Sequence, residues 1–163
     1  MLILTKLQRP GVAGDFVVRP RLVARLEEGH SKKLTLISAP AGYGKSSLVS
    51  AWLKSSGYAS IWYAIDSNDY DLHQFLGYLI TGIRQHAPDC CLQAHALLQA
   101  VKLPPVSVTA TTFINDLTEI DAPLLIVFDD YYLIEGSDSA RLVKTMIQQS
   151  PRQRLVYKAR PGR

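Results

Sequence analysis

Leu34 to Leu53 reads LTLISAPAGYGKSSLVSAWL, and the fold of the chain turns on it. A short apolar run, from Lys33 to Ser38, meets a glycine-rich turn, as a strand feeding a loop does. After the turn, Leu48, Val49, Trp52 and Leu53 fall at helical spacing, and Gly57 marks the stop. A strand that turns sharply into a helix aims several backbone N–H groups at one spot, beside the positive end of the helix dipole. Such a spot suits a phosphate chain. Gly42 and Gly44 tolerate the backbone angles the turn needs, Lys45 reaches toward β- and γ-phosphates, and the Ser46 hydroxyl is placed to ligate Mg²⁺. Ala41, Tyr43 and Ser47 belong to the same cradle. The first position, Ala39, is glycine in the strict motif.

A phosphate loop needs a partner, and PLLIVFDD, Pro123 to Asp130, supplies a candidate. Five consecutive large apolar residues indicate a strand covered on both faces, as in a parallel sheet with helices above and below. Its end delivers Asp129 as a metal-binding acid, while Asp130 is either the group that orients an attacking water or a loop cap.

The remaining elements alternate between the two types. RPRLVARLEEG, Arg19 to Gly29, predicts a helix with Pro20 in its first turn. Ser60 to Asp66 predicts a strand, and Leu72, Phe75, Leu76, Leu79, Ile80 and Ile83 trace one apolar helix face. Helical stretches are expected over Gln93–Val101 and Thr112–Ile120, another after a cap at Asp138 or Ser139, and a fourth strand over Arg154–Ala159. Strands alternating with helices predict a three-layer α/β/α domain with a mainly parallel sheet of about four core strands, residues 19–163, behind an irregular segment, residues 1–18. The acidic loop with Asp66, Asp69 and Asp71 is expected to be solvated, and no ligand spacing links the four histidines.

Bulk properties narrow the classes. In 163 residues, 47% are hydrophobic, enough for one core. The net charge of +4 is spread along the chain, so no nucleic-acid stripe stands out. Cys90 and Cys91 are adjacent and read as free thiols in a reducing compartment. MLILTKL is too short for a signal peptide, and no run reaches membrane-span length, which points to the cytoplasm.

Several separated motifs occur together: VVRPRLVARLEEG, KLTLISAPAGYGKSSLVSAWL, IWYAID, FLGYLI, PLLIVFDDYYLIE and LVYKAR. In that order the chain resembles the N-terminal ATPase domain of the large MalT-like, LuxR-family transcriptional activators, members of the STAND class of signal-transduction ATPases. In that family APAGYGKT is the usual form, so Ala39 is expected. The resemblance implies a P-loop NTPase fold and a switch binding ATP or ADP with Mg²⁺, slow in hydrolysis. It implies phosphate and Mg²⁺ binding by Gly42, Gly44, Lys45 and Ser46, with Asp129 as the metal acid and Asp130 beside it. Arg160 matches an arginine that could sense the γ-phosphate, although Lys158 and Ala159 replace the usual Thr-Ser before it. Arg19 and Pro20 match a segment expected to border the adenine.

Family members continue into a winged-helix segment, a sensor domain and a DNA-binding helix-turn-helix, so the chain is expected to be a truncated piece. Such a piece would be a weak ATPase at most, would bind no DNA directly, and would either self-associate or await its missing domains. The strand following Asp129 should insert between it and the loop strand, leaving the loop strand at an uncovered edge. The alternatives are an interaction or inhibitory fragment pairing with full-length relatives, and a small free-standing phosphoryl-transfer enzyme.

Overall fold

The computed structural model describes residues 1–38, 42, 44–150 and the backbone of 153–159. Pro20, with its fixed φ, opens α1 (Pro20–Gly29). Strand β1 (Leu34–Ser38) leads to α2 (Lys45–Ser56), which ends at Gly57 in the left-handed region, φ 70°. Strand β2 (Ser60–Ala64) is followed by α3 (Leu72–Arg84), α4 (Leu92–Leu97) and α5 (Val106–Leu117). Strand β3 (Leu124–Asp129), α6 (Asp138–Gln149) and β4 (Gln153–Ala159) complete the order.

All strand pairs are parallel and the sheet order is β1-β4-β3-β2. The last strand therefore inserts between the first and third, as the family resemblance implies. Alternation along β3 shows why its apolar run is unbroken. Leu125 and Val127 join Leu26 of α1 and Val49, Trp52 and Leu53 of α2 in one cluster. Leu124, Ile126 and Phe128 point the other way, into a larger cluster with Phe75, Leu79, Phe113, Leu117, Leu142 and Val143. Two helices cover one face and four the other, which makes a three-layer α/β/α fold.

Three boundaries differ from expectation. Helix α5 begins at Val106 rather than Thr112, because Pro105 can stand at its N-cap without losing a helical hydrogen bond. Helix α4 stops at Leu97 rather than Val101. The cap of α6 is Ser137, whose Oγ accepts the Ala140 N–H at 3.1 Å, rather than Asp138 or Ser139. The acidic loop also departs from its expected solvated state, since Asp69 is completely buried.

The N-terminal segment carries one short 3₁₀ turn, Leu4–Leu7, whose Lys6 and Leu7 are buried. Leu7 packs into the larger cluster with Ile61 and Tyr63 of β2. That turn and His86, whose ring nitrogen lies 2.9 Å from the Ser60 carbonyl, cover part of the β2 edge. Among the described residues, β1 pairs only with β4, and Leu36 on it is 59% exposed.

Candidate phosphate-binding site

Of the turn after β1, residues 42 and 44 are described. Gly42 and Gly44 lie at φ 86° and 73°, where a Cβ is strained, and Gly44 is the N-cap of α2 with no side-chain cap hydrogen bond. Lys45 is the first helical residue, and the Gly44 carbonyl accepts from Leu48 N at 2.9 Å. Lys45, Ser46 and Ser47 are half-buried, so all three sit at the helix start where backbone N–H groups project beyond the first turn. Ala41 and Tyr43 lie outside the described residues, as does Arg160.

Arg19 is the N-cap of α1 and lines a cavity of about 210 Å³ with Gly42, Gly44, Ser47, Phe16 and Val17. The structure therefore brings Arg19 beside Gly42 and Gly44, which lie far from it in sequence. Sequence inspection missed Phe16 and Val17. The signal was faint: Phe16, Val17 and Val18 are three apolar residues just before the helix start, and Val17 and Val18 are left 73% and 64% exposed.

Asp129 closes β3, opposite Ala64 in the register, and its carbonyl accepts from Ile65 N at 3.0 Å. Its residue is half-buried. Strand β4 separates β3 from β1, so the backbones carrying Asp129 and the loop are two strand spacings, about 10 Å, apart. Opposed groups at that separation can flank a bound phosphate and cation. Asp130 is exposed and left-handed, φ 58°, a conformation Asp tolerates better than most side chains. Its carbonyl accepts from Leu133 N, so it serves as the cap of the following 3₁₀ turn, Tyr131–Ile134.

Beside Asp129, a charged knot ties the end of β2 to the N-terminal turn. Lys6 Nζ donates to Asp69 Oδ2 and lies 3.0 Å from Asp66 Oδ2. Asp69 Oδ1 also accepts from Tyr63 OH at 2.8 Å, and Asp69 Oδ2 from Asp66 N at 2.8 Å. Burial, then the charge of Asp69, pushes the Tyr63 phenol far above its ordinary range. For Asp66, desolvation works upward, but the hydrogen bonds from Lys6 and Asn68 N outweigh it and hold the carboxyl below the usual range.

On the other face, Glu27 locks α1 to α2. Its Oε1 accepts from Trp52 Nε1 at 2.5 Å and its Oε2 from Tyr58 OH at 2.8 Å, and His30 stacks on Tyr58 with ring centroids 3.8 Å apart. Cys90 and Cys91 are both thiols, and burial raises Cys91 well above the ordinary thiol range, which leaves it a poor nucleophile. Among the described residues no cluster of three His, Cys, Asp or Glu side chains could hold a metal, and no helix is long and apolar enough to cross a membrane.

No family model matches the chain. The HTH-type transcriptional regulator MalT of Yersinia pestis (strain Pestoides F) is 33% identical over 151 residues, 93% of this chain. Over most of its length the chain is similar to one part of MalT. The MalT of Serratia proteamaculans (strain 568) matches at 32% identity over 152 residues. The chain spans 17% of the length of either protein. Among solved structures, C. elegans PCH-2 superposes with a TM-score of 0.41 at 15% identity, covering 86% of this chain and 35% of that one. The fold rests on the parallel sheet order rather than on that likeness.

Proposed function

We propose that this chain is an ATP-binding switch domain of a MalT-type, LuxR-family transcriptional activator, a STAND-class P-loop NTPase. Gly42, Gly44, Lys45, Ser46 and Ser47, with Ala41 and Tyr43 completing the loop, hold the phosphates. Ser46 and Asp129 hold Mg²⁺, Arg19 borders the base, and Asp130 and Arg160 act on the γ-phosphate. Hydrolysis is slow or absent. The observation that carries this reading is the pair of left-handed glycines, Gly42 and Gly44, between β1 and the start of α2, with Asp129 ending β3 across the intervening β4. The MalT relatives, named as transcriptional regulators, support the regulatory half of it.

The deciding experiment is thermal unfolding with and without Mg-ATP, for the parent and for Lys45→Ala. Ligand at a hundred times its dissociation constant adds about 2.7 kcal/mol. For a chain of this length that raises Tm by roughly 5–10 °C. An unchanged parent Tm at millimolar Mg-ATP overturns the proposal.

A second reading is favoured by one feature. Among the described residues strand β1 is a sheet edge, and Leu36 on it is exposed, so self-association through that edge is the competing role. Sedimentation of the parent and of Leu36→Lys separates the two: a dimer lost on that substitution, with no nucleotide shift, supports the edge.

A further inference from the structure

We infer that residues 1–18 form a strap whose docking is coupled to the nucleotide, an inference that rests on the ATP-binding reading above and adds regulation to it. The strap lines the loop side of the proposed site and is anchored close to its acidic side. At its start, the Ile3 N–H donates to Tyr78 OH at 2.9 Å, and Lys6 enters the knot with Asp66 and Asp69. Asp66 follows Ile65, whose N–H holds the Asp129 carbonyl, so this anchor stands one residue from the backbone contact of the proposed metal acid. Midway, the Ser50 hydroxyl on α2 donates to the Pro10 carbonyl. At its far end, Phe16, Val17 and Arg19 form one wall of the cavity whose other wall is Gly42, Gly44, Ser47 and Leu48.

The anchors are uneven in strength. Lys6 is nearly enclosed and lies 4.5 Å from the Tyr78 ring centroid, so in the docked strap Asp66, Asp69 and that ring replace the water its charge has given up. Between the anchors, Gly11 and Gly14 would meet nothing within 4 Å if they carried a Cβ, so the middle of the strap packs lightly. A nucleotide in the cavity touches strap residues that are absent from that wall once the strap undocks. It therefore binds the docked form more tightly, and by linkage it must favour docking by the same factor. The Lys6 knot then sets the fraction of molecules in the docked form, and with it the apparent nucleotide affinity. A device of this kind lets anything that pulls on the N-terminal turn lower nucleotide affinity without touching the loop.

Backbone hydrogen exchange of the full chain, with and without saturating Mg-ATP, reads both ends of the strap at once. The informative amides are Ile3, Lys6 and Gln8, which donate to Tyr78 OH and to the Ile3 and Thr5 carbonyls, against Leu48 at the loop helix. Mg-ATP is expected to slow Leu48 and also Ile3, Lys6 and Gln8, about five-fold or more for the last three. Slowing at Leu48 with no change at Ile3, Lys6 and Gln8 overturns the strap and leaves the nucleotide reading intact. No change anywhere overturns both. In the reverse direction, Tyr78→Phe removes only the hydroxyl that holds Ile3, and Lys6→Gln removes the charge. Both are expected to weaken Mg-ATP affinity, the second by about five-fold or more. If Lys6→Gln fails to fold, Tyr78→Phe decides: faster exchange at Ile3 with weaker Mg-ATP binding supports the coupling, and faster exchange at Ile3 with parental affinity sinks it.

Discussion

Lys6 and Asp69, 63 residues apart in the chain, form a buried ion pair in which Asp69 is wholly hidden from solvent. Because Asp69 is inaccessible, its charge depends on the groups around it: Lys6, Tyr63, Gln74 and the Asp66 N–H. Removing the cation leaves an uncompensated buried carboxylate. Lys6→Met is expected to cost about 3–5 kcal/mol, read as a lower urea midpoint. A double substitution, Lys6→Met with Asp69→Asn, should recover part of that loss, and a purely additive pair would contradict the charge explanation.

The Tyr63 phenol gives the fold an alkaline limit. Its folded pKa lies above the unfolded one, so the stability it lends is complete below the ordinary tyrosine value, about 10, and is lost as pH rises toward the folded value. Tyr63→Phe should cost about 1.5–3 kcal/mol at neutral pH, because a hydrogen bond to a charged acceptor disappears. Its denaturation midpoint should then fall less steeply than the parent's above about pH 9.

Asp66 sets an acid limit of the opposite sign. Its folded pKa is depressed, so its contribution is present above the ordinary carboxylate value of about 3.9 and is lost as pH falls through the folded value. With its side chain 47% exposed, the effect is small. Asp66→Asn should flatten the acid end of the urea-midpoint profile, and an unchanged profile would count against the role of Lys6 in holding it.

At the loop, Gly44→Ala places a Cβ at φ 73°, at a cost of about 1–2 kcal/mol. Among the described residues nothing lies within 4 Å of that Cβ, so the expected penalty is conformational. Lost thermal stability accompanied by a lost Mg-ATP shift is the expected pair of results. A retained shift would mean that the turn's geometry is not what binds the ligand.

Glu27→Gln leaves a hydrogen-bond acceptor for either Trp52 or Tyr58 while removing the charge that both now share. A loss of about 1–2 kcal/mol is expected, with a change in tryptophan emission reporting the Trp52 environment. Because α1 carries Arg19 at its N-cap, Mg-ATP affinity should weaken as well.

Much of this molecule was legible in its sequence. The periodicity of Leu72 to Ile83 marked α3, the apolar run before Asp129 marked a strand buried on both faces, and Gly57 marked the end of α2. These signals are local, because helix and strand periods act over a few residues. Boundaries failed where one cap competed with another, as Ser137 did with Asp138. The acidic loop was misjudged because Asp66, Asp69 and Asp71 carry the composition of a solvated turn, and composition does not report a lysine arriving from position 6.

The local geometry at the loop, with Gly42 and Gly44 left-handed and Lys45 and Ser46 at a helix start, was determined by the sequence alone, since it follows from neighbouring residues and backbone angles. Tertiary structure decided which groups meet it. Insertion of β4 between β1 and β3 sets the distance from the loop to Asp129, and the path of residues 1–18 brings Phe16, Val17 and Arg19 to one side of the loop and Lys6 beside the β2 end. Those meetings join residues far apart in the chain, and they depend on the packing of two apolar helix layers on one sheet rather than on any spacing within the sequence.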